Sequence, residues 1–350
     1  MGSVKRFLIF GLLGAFTMTD CASAPKTTPP VSLPSLLAEV RFPLTLPAPL
    51  SQGRKAHLSA ASGLIKLGSR FFVVADDDAA VVEYSETGEF SQTHPIPWRK
   101  LPAKLAPRKK KKPDFESLFL LDEKQWAPGG ALVAWPSFST PERRKAAVFP
   151  LDPKTGQLSA PTLYDFDSLA LPVEKLLSEP NFEGAVATSS SLVLLQRGNG
   201  AHGENGILRV PFADAESFFT QGGAGSTPVF TPIDIGTENG IPLGFTDAAL
   251  LPDDTFLALA SAENSASTYA DGEVAGSALL QIRFESESTT VKRIARFTDK
   301  KKFEGLAAEW MGQSIRLWLV DDADDPEQAS SVSTALLNPT QALDLQFLPR

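Results

Sequence analysis

One short phrase recurs along this chain and limits what it can fold into. It reads Asp114-Phe115-Glu116-Ser117-Leu118, then Asn181-Phe182-Glu183-Gly184-Ala185, then Phe303-Glu304-Gly305-Leu306. Weaker copies stand at Ala61-Ser62-Gly63-Leu64 and Phe245-Thr246-Asp247-Ala248. The copies lie roughly sixty residues apart, and a period of that length marks a repeat architecture.

Each copy is followed, after a turn, by an apolar run: 71–74, 131–135, 192–195, 256–260 and 315–320. Near-continuous apolar runs of this length read as strands covered on both faces. A further strand follows each, at 80–84, 145–149, 206–210, 277–282 and 332–337. Ser85-Glu86-Thr87-Gly88 and Asp152-Pro153-Lys154-Thr155-Gly156 are tight-turn sequences that close hairpins. Outer strands are harder to find; 229–233 and 291–295 are the candidates. Four antiparallel strands per unit, repeated radially, predict an all-β fold, a β-propeller. Five blades are expected, with six as the alternative if the two termini share one more. The last unit has little chain left for an outer strand, so the segment 38–46 is expected to fill it and cover the open edge. A short helical stretch is expected at 172–177.

The N-terminus reads as an export signal over 1–24. Lys5 and Arg6 precede an apolar stretch from Phe7 to Phe16, too short to span a bilayer. Met18-Thr19-Asp20-Cys21 looks like a bacterial lipoprotein box, with Cys21 as the lipidated residue. Asp20 departs from the small residue usual there, and Ala22-Ser23-Ala24 offers ordinary cleavage instead. Either route puts the mature protein outside the cytoplasm, periplasmic or on the outer membrane, with no membrane contact except that anchor. Residues 25–50 carry seven prolines and are expected to form a tether before a single propeller domain at 51–350. Cys21 is the only cysteine, which excludes an intramolecular disulfide and a thiolate zinc site. A net charge of −8 argues against nucleic acid as a partner. The basic run Arg108-Lys109-Lys110-Lys111-Lys112 is expected to be a solvated loop.

Topology places the candidate site. The head of each inner strand and the loop joining the second and third strands lie on the same face of a propeller. That brings Glu116, Glu183, Asp247 and Glu304 to one mouth. It adds five polar loops, carrying Asp76, Asp77 and Asp78; Arg143 and Arg144; Arg197 and Asn199; Glu263, Asn264 and Asp271; and Asp321 and Asp322. Oxygen-only ligands of this kind suit a hard cation, Ca2+ before Mg2+. The arginines could clamp a phosphate or carboxylate. Each acid taken singly could equally pin neighbouring backbone amides. No Gly-x-Ser-x-Gly elbow is present, which disfavours a serine hydrolase.

Phe-Glu-Gly-Leu at strand heads, with Leu195-Gln196-Arg197-Gly198-Asn199 and Asp321-Asp322-Ala323-Asp324-Asp325-Pro326, resembles bacterial propellers described as phytase-like or esterase-like. It is similar to a group of them without an assigned function, and more loosely to calcium-dependent lactonases of the gluconolactonase class. The resemblance spans residues 57–337. It implies that Glu116, Glu183 and Glu304 could hold a divalent cation, although Ser62 and Thr246 interrupt a full acidic ring. Two functions follow as expectations. One is a binding module for a cation and a small polar or peptide ligand. The other is a metal-assisted hydrolase of an ester, lactone or phosphoester.

Overall fold

The structure, a computed structural model, describes residues 33–198, 204–251, 256–264, 273–284, 289–323 and 325–338. It is a five-bladed β-propeller. Blade 1 is Ala61–Leu67, Arg70–Ala75, Ala80–Ser85 and Phe90–Pro95. Blade 2 is Phe115–Leu121, Ala131–Pro136, Lys145–Pro150 and Thr162–Asp165. Blade 3 is Phe182–Ala187, Ser191–Gln196, Gly206–Pro211 and Val229–Pro232. Blade 4 is Ile241–Leu250, Phe256–Asn264, Glu273–Phe284 and Thr289–Phe297. Blade 5 is Phe303–Met311, Ser314–Asp321 and Ser331–Leu337, with Glu39–Pro43 as its outer strand.

The second strands are apolar on both sides because each blade is covered on both faces. Phe71 and Val73 pack towards blade 5, while Phe72 and Val74 pack towards blade 2. The described core resolves into five apolar clusters, one at each junction between neighbouring blades. Burying one such Val or Phe stabilises the fold by about 1.5–3 kcal/mol. No blade is covered without its neighbours, so closure of the ring is itself a condition of stability.

The segment from Leu33 on is therefore more than a tether. Ser35–Leu36 pairs in parallel with the outer strand of blade 4, and Glu39–Pro43 completes blade 5. Leu36 joins the cluster between blades 4 and 5, and Phe42 and Leu44 join the one between blades 5 and 1. The two outer strands that sequence left unassigned are Phe90–Pro95 and Thr162–Asp165. Helical residues occur at Asp167–Glu174, earlier than expected, and also at Leu105–Lys109 and Ala215–Thr220. Among the described residues no helix is long and apolar enough to cross a membrane.

Candidate functional site

The recurring phrase has a structural meaning in all five blades. Each inner strand skips one residue in its ladder: Ser62, Glu116, Glu183, Thr246 and Glu304. A bulge of this kind breaks the pleat and re-aims a side chain. Glu116, Glu183 and Glu304 thereby line a cavity of about 720 Å³ at the mouth. The next position in each strand is Gly63, Ser117, Gly184, Asp247 and Gly305. At Gly63 a Cβ would stand 2.8 Å from the Leu118 amide nitrogen and at Gly305 2.4 Å from the Val320 Cγ2, so the neighbours crowd these two positions too closely for one.

Asp247 thus belongs to the position after the bulge, and the sequence-based ring is corrected there. Its carboxylate accepts from the Ser117 hydroxyl at 3.0 Å and from the Leu306 amide at 2.8 Å. Ser117 is in blade 2 and Asp247 in blade 4. These blades are not neighbours, so the contact crosses the central axis and plugs it. Burial pushes the Asp247 carboxyl well up from its ordinary range. Thr246 holds the ring position and donates to the Phe303 carbonyl at 2.8 Å.

The floor of the cavity is a set of interlocked charges. Arg197 reaches Glu263 at 2.7 Å and Glu183 and Glu304 at 3.5 Å each. It passes over Gly244, where a Cβ would stand 2.9 Å from the Arg197 Cγ. Lys302 lies 2.9 Å from Glu304 and 3.5 Å from Asp322. Asn181 donates to Glu183 at 2.6 Å. On the blade 1–2 side, Lys112 pairs with Asp76 and, at 2.6 Å, with Asp114. Arg143 meets Asp114 at 2.7 Å, and the hydroxyls of Ser137 and Ser139 also donate to it.

Electrostatics follow from burial. Loss of water pushes Glu304 up to about 8 against the pull of Lys302, with Asp322 and Glu183 adding to the rise. Burial also raises Glu183, and raises Glu116 well above its usual range with help from Asp114, Glu183 and Asp76. Asp114 goes the other way: Lys112 and Arg143 outweigh its burial and hold it below the ordinary carboxylate range. Asp77, buried between Asp76 and Asp78, rises to about 7 despite Arg54 and Arg108.

The basic run is not the solvated loop expected. Arg108 is 1% exposed and binds the Asp77 carbonyl at 2.8 Å and the Asp78 carboxylate at 2.5 Å. Lys112 turns inward as described, while Lys110 and Lys111 are exposed. The acids of 76–78 and 114 supply the partners that make burial tolerable.

The remaining sequence candidates divide. Arg143, Arg144, Arg197, Glu263 and Asp322 line the cavity with Glu116, Glu183 and Glu304. Arg144 pairs with Glu174 and lies 5.8 Å over the Phe138 ring. Asp321 does not line it; its carboxylate is held by the Ser331 amide at 2.8 Å and hydroxyl at 2.6 Å, tying two strands of blade 5. Asn264 is exposed at a strand end, away from the lining. Asn199, Asp271 and Cys21 lie outside the described residues. The loop Asp76-Asp77-Asp78 lies at the mouth as expected from topology, with Asp76 and Asp77 in the lining, whereas Asp114, Lys112 and Lys302 were not foreseen there. The signal was present in part: Asp114, Asn181 and Lys302 all stand two residues before a bulged glutamate.

Two non-glycine residues at this mouth have left-handed backbones, Asp114 at φ 60° and Phe138 at φ 66°. Asp adopts this conformation with ease; Phe does not, and such strain concentrates at functional sites.

Among solved structures the fold is similar to a putative gluconolactonase, at 11% identity and TM-score 0.38, covering 87% of this chain and 93% of that one. It is also similar to a streptogramin B lyase, at 10% identity and TM-score 0.37, covering 87% and 98%. The WD40 repeats of RRP9 give 9% identity and TM-score 0.39, covering 87% and 100%. Likenesses this distant carry no argument about activity. No curated protein matches in sequence. The model of one protein family matches residues 57–337, and the chain belongs to it: the family of unknown function DUF6929.

Proposed function

We propose that this protein is an exported propeller that binds a small polar ligand in its central mouth. The observation that carries the reading is Glu116. It is 7% exposed, lines the cavity, and makes no hydrogen bond or ion pair among the described residues. Its carboxyl faces the cavity with no protein group across from it, so an atom of a bound ligand can pair with it there. With its proton retained, the Glu116 carboxyl donates to a carbonyl, hydroxyl or other acceptor oxygen. The surrounding ion pairs hold the other floor groups in place, so the ligand meets a pre-organised surface.

A thermal-shift panel of sugars, amino acids, dipeptides and organic acids tests this. Ligands that stabilise the protein are expected to lose about tenfold in affinity in Glu116→Ala, the value of one hydrogen bond, and little in Glu116→Gln, which keeps a donor. Hits indifferent to both substitutions would remove the site from this mouth.

The alternative is a hydrolase of an ester, lactone or phosphoester. Glu304 favours it, because a carboxyl titrating near 8 is still protonated at neutral pH and could serve as a general acid. Turnover on lactone and phosphoester panels, with and without EDTA and abolished in Glu304→Gln, would replace the binding reading with this one.

Export rests on the sequence of residues 1–24. If Cys21 is lipidated, the protein fractionates with membranes and Cys21→Ser moves it to the soluble fraction, with the acyl mass lost from the N-terminal peptide. Equal partitioning of the two would leave only ordinary signal cleavage.

A further inference from the structure

Asp76, Asp114 and Glu116 each offer a carboxylate oxygen, and the three oxygens lie within 4.8 Å of one another. In donor chemistry that is a set for a hard divalent cation. The fit fails on one point. The Lys112 ammonium already lies against two of the three, Asp76 and Asp114. Its side chain is 13% exposed, so the pair is held out of bulk water. Glu116, the third member, has neither hydrogen bond nor ion pair among the described residues, as an incompletely filled ligand set would leave it.

We propose that Lys112 is a tethered counter-ion occupying the place at the mouth that Asp76, Asp114 and Glu116 would otherwise offer to a divalent cation. The wild-type mouth then works without metal, and removing the ammonium converts the trio into a calcium site. Several features support this. An ammonium delivered by the chain needs no free-ion concentration, and its stem is fixed four residues after the buried Arg108. The same ammonium links blade 1 through Asp76 to blade 2 through Asp114, across the apolar junction beneath. The ammonium lies directly against two of the three carboxylates and brings a single positive charge. A divalent ion in the same place would bind all three in ionised form. The proposal uses the mouth described above but not the identity of its ligand, and its readout is calcium alone.

The test is calcium titration of the full chain by calorimetry and thermal melting, comparing wild type with Lys112→Met, which keeps the stem and removes the charge. Wild type is expected to give no saturable heat and no change in Tm at millimolar calcium. Lys112→Met is expected to melt lower in EDTA, to regain several degrees in calcium, and to show one site that disappears in Lys112→Met/Glu116→Gln. A wild-type calcium site lost in Glu116→Gln would overturn the proposal, because Lys112 would then yield to the ion. A folded Lys112→Met that takes up no calcium would overturn it too, leaving an ordinary ion pair. Should Lys112→Met not fold in EDTA, it is refolded from urea with and without calcium. Recovery only with calcium supports the proposal, and equal failure in both overturns it.

Discussion

Deletion of residues 33–44 is expected to abolish the cooperative unfolding transition. This stretch supplies the outer strand of blade 5 and a strap across blade 4. The strap is anchored by the Arg296 amide on the Pro34 carbonyl at 3.0 Å and the Thr298 amide on the Leu36 carbonyl at 2.9 Å. Leu44 is fully buried, and Leu36, Ala38 and Phe42 nearly so. Losing the burial of three large apolar side chains costs on the order of 5–9 kcal/mol, comparable with the whole stability of an ordinary domain. The deletion also uncovers Ser331–Leu337 as a free edge able to pair with other chains. The truncated protein is expected to elute as aggregate on size exclusion and to melt without a sharp transition. A soluble monomer with near-normal Tm would show that the ring closes without this strand. The single substitution Leu44→Ala, expected to cost about 2–5 kcal/mol, gives a graded version of the same test.

What could be read from the chain follows the physics of burial. Second and third strands announce themselves because both faces are covered, so their residues are apolar without alternation. Phe90–Pro95 reads Phe-Ser-Gln-Thr-His-Pro and Thr162–Asp165 reads Thr-Leu-Tyr-Asp. Both are outermost, one face meets solvent, and nothing apolar marks them. The closing strand was legible for a different reason: the fifth unit was one strand short, and an open edge must be covered.

At the mouth, the acids were legible but their register was not. In blades 2, 3 and 5 an acid occupies the bulge, whereas in blade 4 Thr246 does and the acid comes next. Only the pairing Asp247↔Leu259, one step past the bulge, separates the two roles. Lys112 was illegible for a related reason. In five consecutive basic residues no period tells which will be buried. The choice is made by Asp76, Asp78 and Asp114, which the fold carries to the spot.

Arg197→Met is expected to cost about 3–5 kcal/mol at pH 8 and clearly less at pH 5, because it leaves buried carboxylates without their shared cation. Glu183, Glu263 and Glu304 lie within 3.5 Å of the guanidinium, and Lys302 lies near Glu263 and Glu304 as a second cation. The sign of the pH effect comes from proton binding. Glu304 titrates at 4.5 when free of the fold and at about 8 within it. Between those values the folded state holds more protons than the unfolded one, so stability falls as pH rises. Below 4.5 both states are protonated and the contribution is complete; above about 8 it is lost. Wild type should show this slope, and Arg197→Met a steeper one, since removal of the cation raises the folded carboxyls further. Urea midpoints at pH 5, 6.5 and 8 check it. Glu304→Gln mimics the protonated acid, so it should flatten the wild-type slope and stabilise the protein at pH 8. An Arg197→Met penalty that is the same at pH 5 and pH 8 would mean that the carboxylates stay ionised throughout. Glu304 could then hold no proton for a ligand or a leaving group at neutral pH, and the general-acid alternative would go with it.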